Sequence, residues 1–253
     1  MLLFDLFVFL IGLCVGSFLG VLVSRLNRQK GIMTGRSECP NCHTAIRWYD
    51  LIPLVSFALL RAKCRHCQKP ISFIYPCIEL VGGITFLFIF INSYHLGWLY
   101  LILVASIASL LISLIFFDYL YFIIPDKIII ILLILALLLN LQFNISGLLP
   151  AFITGLCMSL VFGIMYVVSR GVWIGLGDVK LIFIIGLLLD YPNGFLAIVG
   201  SVWLATFVGL GLILARKATA KTAIPFGSFI AIVSLLILIY QYDIQKIASR
   251  YLL

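Results

Sequence analysis

"WLYLILVASIASLLISLIFF", residues 98–117, runs without a single charged side chain and ends directly on Asp118. A helix rises about 1.5 Å per residue, so a stretch of this length reaches across the roughly 30 Å hydrocarbon core of a bilayer. Leu6 to Val23 is a second run of the same kind. The 253-residue chain is 64% hydrophobic and 10% charged, with mean hydropathy +1.25. A soluble domain would carry about a quarter charged residues. The fold class is therefore all-α: a polytopic protein whose first partner is the lipid bilayer. A cleavable signal peptide is not expected, because Asp5 and no basic residue precedes the first apolar run.

Apolar segments fall at roughly 3–24, 77–94, 97–117, 122–141, 146–168, 178–190, 194–215 and 223–241, predicting about eight transmembrane helices. The sixth is short, and Gly82 and Gly83 interrupt the second. The organisation expected is a first transmembrane helix (1–24), a cytoplasmic loop (25–76) and a multi-helix core (77–253). With the N-terminus outside, the inner segments 25–76, 117–127, 169–180 and 216–222 hold fifteen Lys or Arg residues. The outer loops hold none, and the final tail holds Lys246 and Arg250. The inner set includes Arg25, Arg28, Lys30, Arg36, Lys180 and Lys221. Basic residues favour the cytoplasmic side, so both termini should face outward. The net charge of +8 then reflects basic cytoplasmic loops, and no nucleic-acid partner is implied. Gly12, Gly16 and Gly20 recur every four residues, a spacing that lets membrane helices approach closely. Trp98, Tyr119, Tyr121 and Trp203 are scattered and read as interfacial anchors or core.

The one sizeable polar region contains "CPNC" and "CRHC", which place Cys39, Cys42, Cys64 and Cys67 in two short-spaced pairs. Each CxxC turn brings two sulfurs toward one metal, so the four can close a tetrahedral tetrathiolate site. A loop facing the reducing cytoplasm disfavours disulfides. Structural zinc is the expectation: four thiolates leave no open position for catalysis, so the metal would fold the loop. His43 and His66 are bystanders or replacements for a thiol. Cys14, Cys77 and Cys157 fall in apolar segments as packing residues.

Nine acidic residues remain to be weighed. Asp5, Asp190 and Asp243 lie in outer or terminal positions, and Glu38 and Asp50 in the loop. Asp126 follows Pro125 and suits a helix start. Glu79, at the entry to the second span, is either a functional carboxylate or an interfacial one. Asp118 closes the third span in "LIFFDYLYFIIPD", and Asp178 opens the sixth in "GLGDVK". Topology puts both at the cytoplasmic border, where ionisable groups serve function or pair with each other. Two adjacent carboxylates share a proton. One can then activate water while the other hydrogen-bonds the carbonyl under attack. Gly175 and Gly177, lacking a Cβ, would let backbone or a substrate strand come close. The alternative is an Asp178–Lys180 salt bridge at the helix start.

These residues resemble a known family, the type IV prepilin leader peptidases, intramembrane aspartyl proteases of the GxGD type. "GSFLGVLVSRLN" (16–27) is similar to the family's first-span signature, and residues 36–80, "RSECPNC" through "YPCIEL", to its cytoplasmic zinc loop. "FDYLYFIIPD" (117–126) and "GLGDVK" (175–180) are similar to its two aspartate motifs. Gly20 stands where the first motif usually has asparagine, and Ala62 where the loop usually has glycine. The resemblance implies catalytic Asp118 and Asp178, with zinc on Cys39, Cys42, Cys64 and Cys67. It implies cleavage of short basic leaders from prepilins or pseudopilins, after a glycine just before the precursor's hydrophobic helix. The setting implied is the bacterial plasma membrane, with the active site at the cytoplasmic face, in pilus assembly, secretion or competence. Many members also methylate the new N-terminus with S-adenosylmethionine, an activity associated with the first cytoplasmic region. Outside the family, a transporter or channel, or a non-catalytic scaffold, is compatible with the apolar spans. A coupled transporter, however, would place more ionisable groups near the bilayer centre.

Overall fold

The computed structural model describes residues 2–26, 37–219 and 222–251, with side chains for 3–26, 37–219 and 222–240. Asn27, Arg28, Lys30, Arg36 and Lys221 lie outside the described residues, as do the side chains of Asp243, Lys246 and Arg250. The helices are α1 (Leu2–Leu26), α2 (Val55–Leu59), α3 (Ile74–Ser93), α4 (Trp98–Tyr121), α5 (Asp126–Phe143), α6 (Leu148–Ser169), α7 (Leu176–Leu189), α8 (Asn193–Leu214) and α9 (Phe226–Tyr251). Among the described residues there is no strand, only two isolated bridges, Glu38 with Ala45 and Lys63 with Pro70.

Each of the eight apolar segments is helical, and among the described residues six of these helices are long and apolar enough to cross a membrane. α7 has 14 residues: Gly175 caps its start, and Asp190, at φ 57°, turns the chain out of the helix ahead of Pro192. α9 follows Pro225 and runs Phe226–Tyr251, and Phe226–Tyr240 is the apolar stretch of its described side chains.

The chain forms two compact units, residues 1–91 and 92–253. In the first, α1 and α3 lie backbone to backbone. A Cβ on Gly12 would sit 2.6 Å from the Gly82 carbonyl oxygen, and one on Gly16 would sit 2.7 Å from Glu79 Cα. Gly82 and Gly83, expected to interrupt the second span, leave α3 continuous. They form the other half of a small-residue crossing with α1. Glycine weakens a helix by roughly 1 kcal/mol relative to alanine. Here close packing of two backbones offsets that cost.

The second unit gathers α4 to α9 around Ile107, Leu111, Ile112, Leu132, Leu181, Ile182 and Ile185, all fully buried. α7 lies at its centre, packed against α5, α6, α8 and α9. No charge follows Lys180 in α7, and a helix apolar on every face belongs inside a bundle. Gly155 and Gly186 bring α6 and α7 together: a Cβ on Gly186 would lie 2.5 Å from Gly155 Cα.

Candidate active site

Asp118 sits in the last turn of α4, just before Phe122 enters the left-handed region at φ 54° and ends the helix. Its side chain is buried at 5% exposure. Buried carboxylates need donors. Both come from the first turn of α9, where Ser228 donates its backbone N–H at 2.7 Å and its hydroxyl at 3.1 Å to Asp118 Oδ2. The same hydroxyl lies 2.9 Å from the Ile115 carbonyl.

Asp178, half-buried in the first turn of α7, reaches back so that Oδ2 accepts the Gly175 N–H at 3.2 Å. The two acids meet at Gly227. A Cβ there would lie 3.0 Å from Asp178 Oδ1 and 3.1 Å from Asp118 Oδ2. Thus α4, α7 and α9 converge on one small volume, and only a glycine leaves it open. Ile124 packs beside it: a Cβ on Gly227 would lie 2.7 Å from its Cδ1, and one on Gly177 would lie 3.0 Å from its Cβ. Gly175 therefore borders the carboxylate, whereas Gly177 makes room for Ile124.

Lys180 does not pair with Asp178. Its Nζ donates to Asp126 Oδ1 at 2.6 Å, an exposed ion pair joining the starts of α5 and α7. Among the described residues neither Asp118 nor Asp178 takes part in an ion pair.

In the first unit the two cysteine pairs form matching knuckles. Cys39 N–H donates to Thr44 O (3.0 Å) and Cys64 N–H to Lys69 O (2.9 Å). The residues after the second cysteines, His43 and Gln68, both take positive φ. The four Sγ atoms lie within 4.8 Å of one another, with Cys39–Cys67 at 3.9 Å and Cys42–Cys64 at 4.0 Å. A tetrahedral ion with bonds of about 2.3 Å needs sulfurs about 3.8 Å apart, so the donor set fits a single metal. Hydrogen bonds from Thr44 hold the Cys42 thiol down to about 6, and backbone N–H groups of Cys67 and His66 lower Cys64. Both favour the thiolates a metal binds. The cluster consists of cysteines alone, without His43 or His66. Asp50 takes a bidentate hydrogen bond from Arg65 (3.0 and 2.6 Å), which holds its carboxyl below the usual range and ties the second knuckle to the turn at residues 48–51.

Glu79, from α3, accepts the Leu54 N–H on Oε2 at 2.8 Å, steadying a residue held at φ 58° just before α2. It also lines a cavity of about 460 Å³ bordered by the C-terminal half of α1, the loop and α3.

Sequence reading alone did not single out Gly227 and Ser228. A signal was available: "IPFGS" opens the last apolar segment just as "GLGDVK" opens the sixth. Glycine and serine, however, are ordinary residues in membrane helices.

Residues 10–93 match the model of the bacterial peptidase A24 N-terminal domain, and residues 105–240 that of the type IV leader peptidase family. A protein of Aeromonas hydrophila named prepilin leader peptidase/N-methyltransferase is 30% identical over 94% of this chain and 91% of its own length. Proteins of the same name from Bacillus subtilis and Myxococcus xanthus are also similar. The first is 28% identical over 92% of each chain. The second is 44% identical over 49% of this chain, spanning only 36% of its own length. No solved structure matches. Both halves of the molecule, the cysteine loop with its flanking helices and the bundle holding the two acids, thus fall within one lineage: the chain belongs to the type IV leader peptidase family.

Proposed function

We propose that the chain is an aspartyl endopeptidase that removes leader peptides from type IV prepilins or pilin-like precursors. The observation that carries this reading is the convergence of Asp118 and Asp178 on Gly227, with neither acid in an ion pair among the described residues. In the mechanism inferred, one carboxylate takes a proton from water as its oxygen bonds to the scissile carbonyl carbon. The other, protonated, hydrogen-bonds the carbonyl oxygen. As the tetrahedral intermediate collapses, the C–N bond breaks and a proton passes from the dyad to the departing amine. No covalent enzyme intermediate forms. Burial of Asp118 strengthens these contacts by excluding bulk water. We place the site at the cytoplasmic face of the bacterial plasma membrane with both termini outward, on the distribution of basic residues.

Asp118→Asn and Asp178→Asn, tested on a prepilin precursor in membranes, should each lose at least about a hundredfold in cleavage rate. Normal processing by either variant refutes the assignment. For the cysteine cluster we propose a structural zinc that folds the loop and takes no part in hydrolysis. Purified protein should carry about one zinc per chain, lost in Cys39→Ser.

A second activity is favoured by the cavity beside Glu79. Like its named relatives, the chain would methylate the new N-terminus, with S-adenosylmethionine supplying the methyl group. Transfer of labelled methyl to the cleaved precursor tests this directly.

A further inference from the structure

The geometry points to α2 as a membrane-surface anchor, whose outer face enters the headgroup region of an anionic lipid leaflet and seats the loop there. α2 is held against the first turns of α3 at two points. The Leu54 N–H, just ahead of α2, donates to Glu79 Oε2 at 2.8 Å, and the Phe57 ring meets that of Phe73 edge-on with centroids 5.2 Å apart. Phe73 immediately precedes α3, and Glu79 lies about 8 Å along it at 1.5 Å per residue. The apolar run Ile74–Leu96 is long enough to span, so the first turns of α3 stand where headgroups meet acyl chains. Tied to those turns, α2 is kept in the zone, about 5–10 Å deep, that interfacial helices occupy.

The two faces of α2 differ in what they meet. Ser56, Phe57 and Leu60 line the cavity between the loop, α1 and α3. Val55 and Leu59, four residues apart on the opposite side, are exposed, Leu59 at 78%. Trp48 and Ile52 add exposed apolar surface just upstream. Such surface is costly in water, whereas the membrane interface buries it and favours tryptophan in particular. Charge complements the apolar face. Residues 37–73 carry five Lys or Arg side chains against two acidic ones, and one of the five, Arg65, is matched by Asp50. Arg61, Lys63 and Lys69 are exposed and take part in no ion pair among the described residues. Basic side chains beside an apolar face, at headgroup level, meet lipid phosphates and favour anionic lipids. A second copy of the chain or a precursor would satisfy the apolar face but leaves these cations without a stated partner.

The test uses full-length protein carrying the photoreactive residue p-benzoylphenylalanine in place of Leu59 or, in a second variant, of Val55. Leu60, on the cavity side, is replaced in the same way as the control. Each protein is reconstituted in nanodiscs of phosphatidylcholine and phosphatidylglycerol, with an added prepilin fragment, and mass spectrometry identifies what each position captures. Positions 55 and 59 should form lipid adducts at least about fivefold more often than position 60. Phosphatidylglycerol should be captured above its share of the bilayer, and Arg61→Gln, Lys63→Gln and Lys69→Gln together should return capture to that share. Helical signal and metal content, read on the same samples, report whether each variant keeps its fold. Adducts from positions 55 and 59 to residues 92–253, to a second copy or to the prepilin fragment in place of lipid overturn the proposal and name the true occupant. Equal lipid capture at positions 55, 59 and 60 overturns it as well, because no face of α2 is then distinguished. Capture that follows bilayer composition in the wild-type loop refutes the anionic preference. Loss of metal in the triple Gln variant, with lipid capture unchanged, assigns the three cations to the cysteine cluster and refutes their role toward lipid.

Discussion

At the scale of single residues, Asp118 owes its setting to α9. Its Oδ2 takes two donors from Ser228, so removing the hydroxyl should disturb the acid without removing its backbone partner. Hydrogen bonds to charged groups contribute roughly 1.5–3 kcal/mol. Ser228→Ala should therefore lower kcat about ten- to a hundredfold while KM stays near its original value, and Ser228→Thr should restore much of the rate. An unchanged kcat in Ser228→Ala would show that the backbone N–H alone positions the acid. Gly227→Ala is harsher, because its methyl would enter the space between the two carboxylates and press on Ile124. Precursor processing should fall below that of Ser228→Ala, with the helical signal in circular dichroism intact. By contrast, the Lys180–Asp126 pair is exposed, and such pairs contribute at most about 1 kcal/mol. Lys180→Ala should keep cleavage within a few-fold of wild type; a loss comparable to that of Asp178→Asn would make Lys180 part of the chemistry.

At the scale of elements, the helices and both aspartate motifs were legible because membrane burial writes itself into composition: long apolar runs, with charges only where something requires them. The cysteine knuckles were legible from spacing, since CxxC turns act locally. The pairings between elements were not. Lys180 finds Asp126 and not Asp178, the partner of the alternative reading, and Glu79 finds the backbone of Leu54; neither partner is fixed by local spacing. Gly82 and Gly83 were misread as an interruption for the same reason, since their use appears only when α1 lies against them. That crossing predicts a gradient. Gly12→Leu, pressing on Gly82 and Gly83 backbone, should destabilise the first unit by more than Gly20→Ala, which meets only the Tyr75 ring. Thermal melts of the two purified variants check the order; equal stability would mean that the crossing yields without cost.

At the scale of the whole molecule, two folding logics coexist in one chain. The second unit has a core rich in branched aliphatic side chains, with α7 surrounded by its neighbours, and among the described residues the cluster that fits a metal lies in the other unit. The described part of the first unit's loop has no such core: Trp48, Leu59 and Phe73 are at least two-thirds exposed, and among its described apolar side chains Cys39 alone is buried. A segment that buries so little depends on cross-links for its order, and the zinc proposed on its four cysteines would supply them. Chelation should therefore act on one unit alone. Treating the purified protein with a strong zinc chelator should leave most of the far-ultraviolet helical signal in place, because the long helices outside the loop keep their own packing. In limited proteolysis it should open new cuts between residues 37 and 73 while fragments containing residues 98–214 persist. A concerted loss of helix on chelation would show instead that the metal-bound loop and the helical bundle fold as one cooperative body.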